Sequence, residues 1–164
     1  MAKASGGTRS IKPKSVPERA KETIGKVLSD IKQRGFSMIS PFKIGGVEKR
    51  MSDFAAKNGI ELGSKDIYMS SSAIAHATRE SKQAKKLSVS DKDLKMFPIK
   101  RRKMDLYYDS ITKNFTYTDN NTKYILHPNY KIKMPNGRNR LVNFITASKT
   151  DGKEFNQKNY EKIK

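Results

Sequence analysis

Apolar positions near the start of the chain recur at helical spacing. After Ser15, with Pro17 suited to a first turn, Ala20, Ile24, Val27, Leu28 and Ile31 form one stripe, and Gly35 is a C-terminal stop. The opposite side carries Arg19, Lys26, Lys32 and Arg34, so an amphipathic helix with a basic outer side is expected. Phe36–Gly46, broken by Pro41 and Gly45-Gly46, reads as a loop with a glycine hinge. No Lys-Ser or Lys-Thr pair follows those glycines in phosphate-loop register. Val47, Met51, Phe54 and Ala55 predict a second helix over 47–57, ended by Asn58-Gly59.

Asp66–Gln83 is the stretch richest in chemistry. Ile67-Tyr68-Met69 suits a brief strand, and Ser70-Ser71-Ser72 offers hydroxyl caps for a helix starting near Ala73. Ile74, Ala77 and Ser81 then mark a buried stripe, while His76, Arg79 and Gln83 fall on a second one. Ser90-Asp91 caps a short helix through Phe97, with Asp93 near its start and Pro98 as its end.

From Met104 the period becomes that of strands. Asp105–Asp109, Asn114–Thr118, a third segment from Lys123 to Met134 and a return over Arg140–Ser148 are joined by turns at Asp119-Asn120-Asn121 and Pro135-Asn136-Gly137. His127-Pro128-Asn129 interrupts the third strand; its histidine could serve chemistry, but a histidine before proline reads first as a turn residue. Phe155, Tyr160 and Ile163 can dock a short C-terminal segment. The predicted fold is α+β, with N-terminal helices packed on one face of a small four-stranded antiparallel β-meander. The chain divides into a flexible basic arm (1–16), a helical extension (17–65) and an α+β domain (66–164).

Composition adds a charge argument. Lys and Arg outnumber Asp and Glu by 35 to 16, a net +19, which concentrates polyanions at the surface and speeds encounter with them. Nucleic acid is the first candidate partner. No run of about 18 apolar residues is present to span a membrane, and the first nine residues lack the apolar core of a secretory signal. The absence of cysteine excludes thiolate chemistry, and two histidines are too few for a multi-histidine metal site, so no metal or other cofactor is expected. Lys100-Arg101-Arg102-Lys103 is the densest positive cluster and a candidate nucleic-acid contact. Tyr107, Tyr108, Phe115 and Tyr117 are candidates for stacking on unpaired bases, or for the core.

Ile67-Tyr68-Met69-Ser70, Ala75-His76, Leu94-Lys-Met-Phe-Pro98, Val142-Asn-Phe-Ile-Thr-Ala-Ser-Lys149 and Asn159-Tyr160 follow one another in an order that resembles the phage- and mobile-element-associated nuclease domains of the barnase–EndoU–colicin–RelE group. The likeness covers 66–164. It implies a small antiparallel sheet with one or two preceding helices, and metal-independent endoribonuclease activity. His76 matches that group's histidine on the helix after the first short strand, and Thr146 and Ser148 match the hydroxyl pair closing the last strand. The resemblance also implies a toxin or effector acting in the cytoplasm of a target or host cell, or carried in a virion. Partners are then RNA and an acidic immunity or antitoxin protein, or a phage structural protein.

The chemistry expected is attack of the RNA 2′-hydroxyl on its own phosphate, leaving a 2′,3′-cyclic phosphate. In that reading His76 acts as base or acid and Arg79 stabilises charge on the phosphate. Thr146, Ser148 and Lys149 hold the phosphate from the last strand, and Lys100, Arg101, Arg102 and Lys103 hold the strand. The second proton-transfer group is left open among Glu80, Lys82 and a tyrosine. The same features also fit a non-catalytic, basic nucleic-acid-binding or virion-associated structural protein, in which charge alone carries the function.

Overall fold

In a computed structural model, which describes residues 13–79 and 88–164, the first element is α1 (Val16–Arg34). The Ser15 hydroxyl accepts from the Glu18 amide, the Glu18 carboxylate reaches back to Ser15, and Gly35 closes the far end at φ 84°. Ala20, Ile24, Val27 and Leu28 are buried, as their spacing predicts. Of the arm assigned to 1–16, residues 1–12 lie outside the described residues.

Where Pro41 and the glycine pair predict a loop, the chain instead forms β1 (Phe42–Gly46). Then follow α2 (Lys49–Lys57), β2 (Asp66–Met69) and α3 (Ser71–Thr78). Ser70 caps α3 by accepting from the Ala73 amide, and the helix stops at Thr78, with Arg79 extended at φ −60°, ψ 154°. The predicted run to Gln83 therefore ends early; Ser81 and Gln83 lie outside the described residues. After α4 (Asp91–Lys100), which holds Pro98 inside its last turn rather than beyond it, a 3-10 turn (Arg101–Lys103) leads to β3 (Asp105–Asp109). Next come β4 (Asn114–Thr118), β5 (Thr122–Lys133), β6 (Asn139–Lys149), a second 3-10 turn (Lys153–Asn156) and β7 (Tyr160–Ile163).

All seven strands join one mixed sheet in the order β1-β2-β6-β5-β4-β3-β7. This corrects the expected four-stranded antiparallel meander. β3 to β6 are antiparallel neighbours, but β1 and β2 widen the sheet at one end and β7 at the other, and β2 runs parallel to β6. The first 65 residues supply an edge strand and two helices to this sheet, and a single apolar cluster runs from Ala20 in α1 to Ile163 in β7.

Alternation along β6 divides its side chains between two faces. Ile145 and Ala147 enter the large cluster, whereas Val142 and Phe144 meet Tyr68 and Ile132 in a smaller one on the other face. Between them Asn143 is fully buried, and its amide ties down the approach to β2. It donates to the carbonyls of Ser64 (2.7 Å) and Asp66 (3.1 Å) and accepts from the Gly63 amide (2.9 Å). Gly63 lies so close to β6 that a Cβ there would sit 2.7 Å from the Val142 backbone. Among the described residues, no helix is long and apolar enough to cross a membrane.

Candidate active site

The face of β6 that carries Phe144 and Thr146 forms one wall of a cleft of about 500 Å³, within the range of small-ligand sites. α3 forms the facing wall and contributes Ser70, Ser72 and His76, while Tyr130 and Lys133 enter from β5. His76 is exposed. It owes its place to the cap at Ser70, which turns the chain from β2 into α3, and to Ile74 and Ala77, which bury the helix's other side.

A second histidine touches the cleft wall at Thr146 through a defect in β5. His127 pairs with Phe144 and Tyr130 with Val142, so three residues of β5 span two of β6. Pro128 and Asn129 form this bulge, and Asn129 adopts φ 58°. Proline has no amide hydrogen to lose from the ladder, and asparagine tolerates the left-handed conformation, so both residues suit the position. The extra residue puts His127 and Tyr130 on the same face of the sheet, where unbroken alternation would set them on opposite faces. The strand predicted to break here is instead continuous from Thr122 to Lys133.

His127 Nε2 lies 3.0 Å from Thr146 Oγ1, and its ring packs 5.7 Å from that of Tyr130. The imidazole is half-buried, and loss of solvation lowers its pKa below the ordinary histidine value. It is therefore neutral at pH 7 and able to accept a proton. Tyr130 stacks on Phe144 with centroids 4.9 Å apart and planes at 13°. Arg140 lies beside this floor, its guanidinium 3.3 Å from the Tyr68 hydroxyl. Among the described residues, no Asp or Glu lines the cleft. Among the described residues, no three His, Cys, Asp or Glu are grouped to hold a metal ion.

The other predicted site residues scatter. Arg79 is exposed beyond the end of α3 and does not line the cleft beside His76, because the helix that would stack them stops at Thr78. Ser148 shares the Thr146 face of β6 but stands opposite Lys123, whose ammonium is bound 3.0 Å from Glu154. Lys149 has the opposite parity to Thr146, so it leaves the sheet on the other side. Lys100, Arg102 and Lys103 are exposed around the turn after α4, outside the cleft.

Arg101 is only 1% exposed and belongs to the interior, which removes it from any nucleic-acid surface. It donates to Glu48 Oε1 (3.1 Å), the Tyr117 hydroxyl (3.3 Å) and the Gly46 carbonyl (2.5 Å). Glu48, itself 8% exposed, also takes Arg50 at 2.7 Å. A Cβ on Gly45 would stand 2.6 Å from the Arg101 guanidinium, so this buried cation needs the glycine beside it. The candidate stacking aromatics also lie inward. Phe115 and Tyr117 are fully buried, Tyr108 packs on Phe54 and Phe115, and Tyr107 stacks on Phe155. Glu80 and Lys82, candidates for the second proton transfer, lie outside the described residues.

Reading the residues in order ranks His127 as a turn residue and Tyr130 as an ordinary strand residue. The available signal was Pro128-Asn129, a pair suited to a bulge, inside a segment that otherwise alternates. Comparison of this chain with protein-family models, with curated proteins and with solved structures finds no match.

Proposed function

We propose that this chain is a metal-independent endoribonuclease whose active site is the cleft between α3 and the outer face of β5–β6. The observation that carries the reading is the His127–Thr146 pair, whose threonine lines the same cleft as His76. RNA supplies its own nucleophile. The 2′-hydroxyl gives its proton to the Thr146 oxygen as Thr146 passes its own to the neutral Nε2 of His127. The 2′-oxygen bonds to phosphorus, the Ser70 and Ser72 hydroxyls stabilise the added charge, and the P–O5′ bond breaks. His76 delivers a proton to the departing 5′-oxygen. The products are a 2′,3′-cyclic phosphate and a 5′-hydroxyl. The expected group likeness, to barnase–EndoU–colicin–RelE-type nucleases, agrees with this chemistry but with a different cast, since His127 and the Ser70 and Ser72 hydroxyls take the places first given to an unassigned acid–base group and to Arg79.

The test is single replacement of each histidine, with RNA turnover measured under saturating chelator. His76→Ala and His127→Ala are each expected to lower kcat by about a hundredfold or more, with folding checked by circular dichroism. Wild-type rates in either variant would remove that residue from the mechanism. If the wild type binds RNA without cutting it, the non-catalytic nucleic-acid-binding reading takes its place.

A further inference from the structure

Tyr130 is 45% exposed and lies in the part of β5 that runs past the end of β4, paired with β6 alone. Phe144 covers one side of its ring in a near-parallel stack at 4.9 Å, so the exposure belongs to the opposite side and the rim. The ring is braced: Phe144 is 7% exposed and packs with Tyr68, Val142 and Ile132, while His127 abuts Tyr130 at 5.7 Å. The other exposed large apolar side chains among the described residues, Phe36, Met38, Ile99, Ile111 and Leu141, do not line this cleft. An aromatic face held rigid, open on one side and set in a cleft is a stacking surface.

The surrounding charge selects what stacks there. Lys133 is among the residues that line the cleft, Arg140 stands over the Tyr68 ring behind Phe144, and among the described residues no carboxylate lines it. A flat apolar ring with an adjoining phosphate meets both demands. Phe144, under the Tyr130 ring, precedes Thr146 by two residues on the same face of β6, about 7 Å away. A base on Tyr130 therefore lies one nucleotide's reach from the His127–Thr146 pair.

We propose that Tyr130 is the platform on which an unpaired nucleobase of the bound strand stacks, which restricts the site to single-stranded or looped RNA. A paired base in a duplex has both of its faces covered and its edge engaged, so it presents nothing to the ring. The inference rests on the cleft being an RNA site, as read above. It adds the class of RNA and the residue that selects it.

The experiment is a fluorescence-anisotropy titration with a 2′-O-methyl oligonucleotide, single-stranded and then annealed to its complement, against wild type, Tyr130→Phe, Tyr130→Leu and Tyr130→Ala. The wild type is expected to prefer the single strand. Tyr130→Phe keeps that affinity, because it keeps the aromatic face. Tyr130→Leu, which still covers Phe144, and Tyr130→Ala each weaken single-strand binding by about 5- to 100-fold and leave duplex binding unchanged. The unchanged duplex binding also shows that the variants are folded. Single-strand affinity equal to wild type in Tyr130→Leu, or equal losses for both probes, would overturn the proposal. The probe lacks a free 2′-hydroxyl, so this outcome is independent of cleavage. A wild type that leaves RNA intact yet shows this pattern retires the nuclease reading and keeps the platform. A wild type that cuts RNA while Tyr130→Leu binds normally does the reverse.

Discussion

His127 shares a sheet face with Tyr130 because β5 carries one residue more than its partner over the Pro128–Asn129 bulge, and it touches the cleft wall at Thr146. Its depressed pKa follows from desolvation, and the sign of the consequence can be worked out. The unfolded chain holds this imidazole at about 6.5, while the folded state releases the proton at a lower pH. Its contribution to stability is thus complete above about pH 6.5 and is lost as pH falls through the folded value. Urea unfolding should show stability declining with pH over that window, and His127→Gln should flatten the decline. A proton NMR titration placing His127 at or above the ordinary value would contradict the account. Arg101 shows why residue type alone misleads. Lys-Arg-Arg-Lys reads as a solvated cluster, because the carboxylate that draws Arg101 inward stands 53 positions earlier in the chain.

Among the elements, those defined by local pattern were legible and those defined by a distant partner were not. α1 has a complete capping box, a periodic apolar stripe and a glycine end, all within 21 residues of chain, and its sequence signals agree with the observed helix. β1 is Phe-Lys-Ile-Gly-Gly after a proline, and becomes a strand because β2 pairs with it. β7 has four residues and is held by β3. The parallel contact of β2 with β6 depends on Asn143, whose amide binds Gly63 from 80 positions away. That amide also orients the site, since β2 delivers α3 and His76 toward the strand that carries Thr146. Asn143→Ala takes this partner from the Gly63 amide and the Ser64 carbonyl, while the Asp66 carbonyl keeps the Ser64 hydroxyl. It is expected to cost roughly 1–3 kcal/mol in urea unfolding and to reduce RNA turnover with it. A loss below about 0.5 kcal/mol would show that β2 is placed by other contacts.

Over the whole molecule, the net charge of +19 favours attraction to polyanions, and the proposed site for them is the cleft. Binding of RNA should weaken steeply with salt, by at least about tenfold between 50 and 200 mM, as measured by anisotropy. Salt-independent binding would mean that charge is not its basis. The direct measurement of the central claim is the end-group chemistry of RNA fragments made by the wild-type protein in excess chelator. The account predicts 2′,3′-cyclic phosphates and 5′-hydroxyls, absent from a His76→Ala/His127→Ala preparation. Intact RNA, or fragments ending in 5′-phosphates, would contradict it.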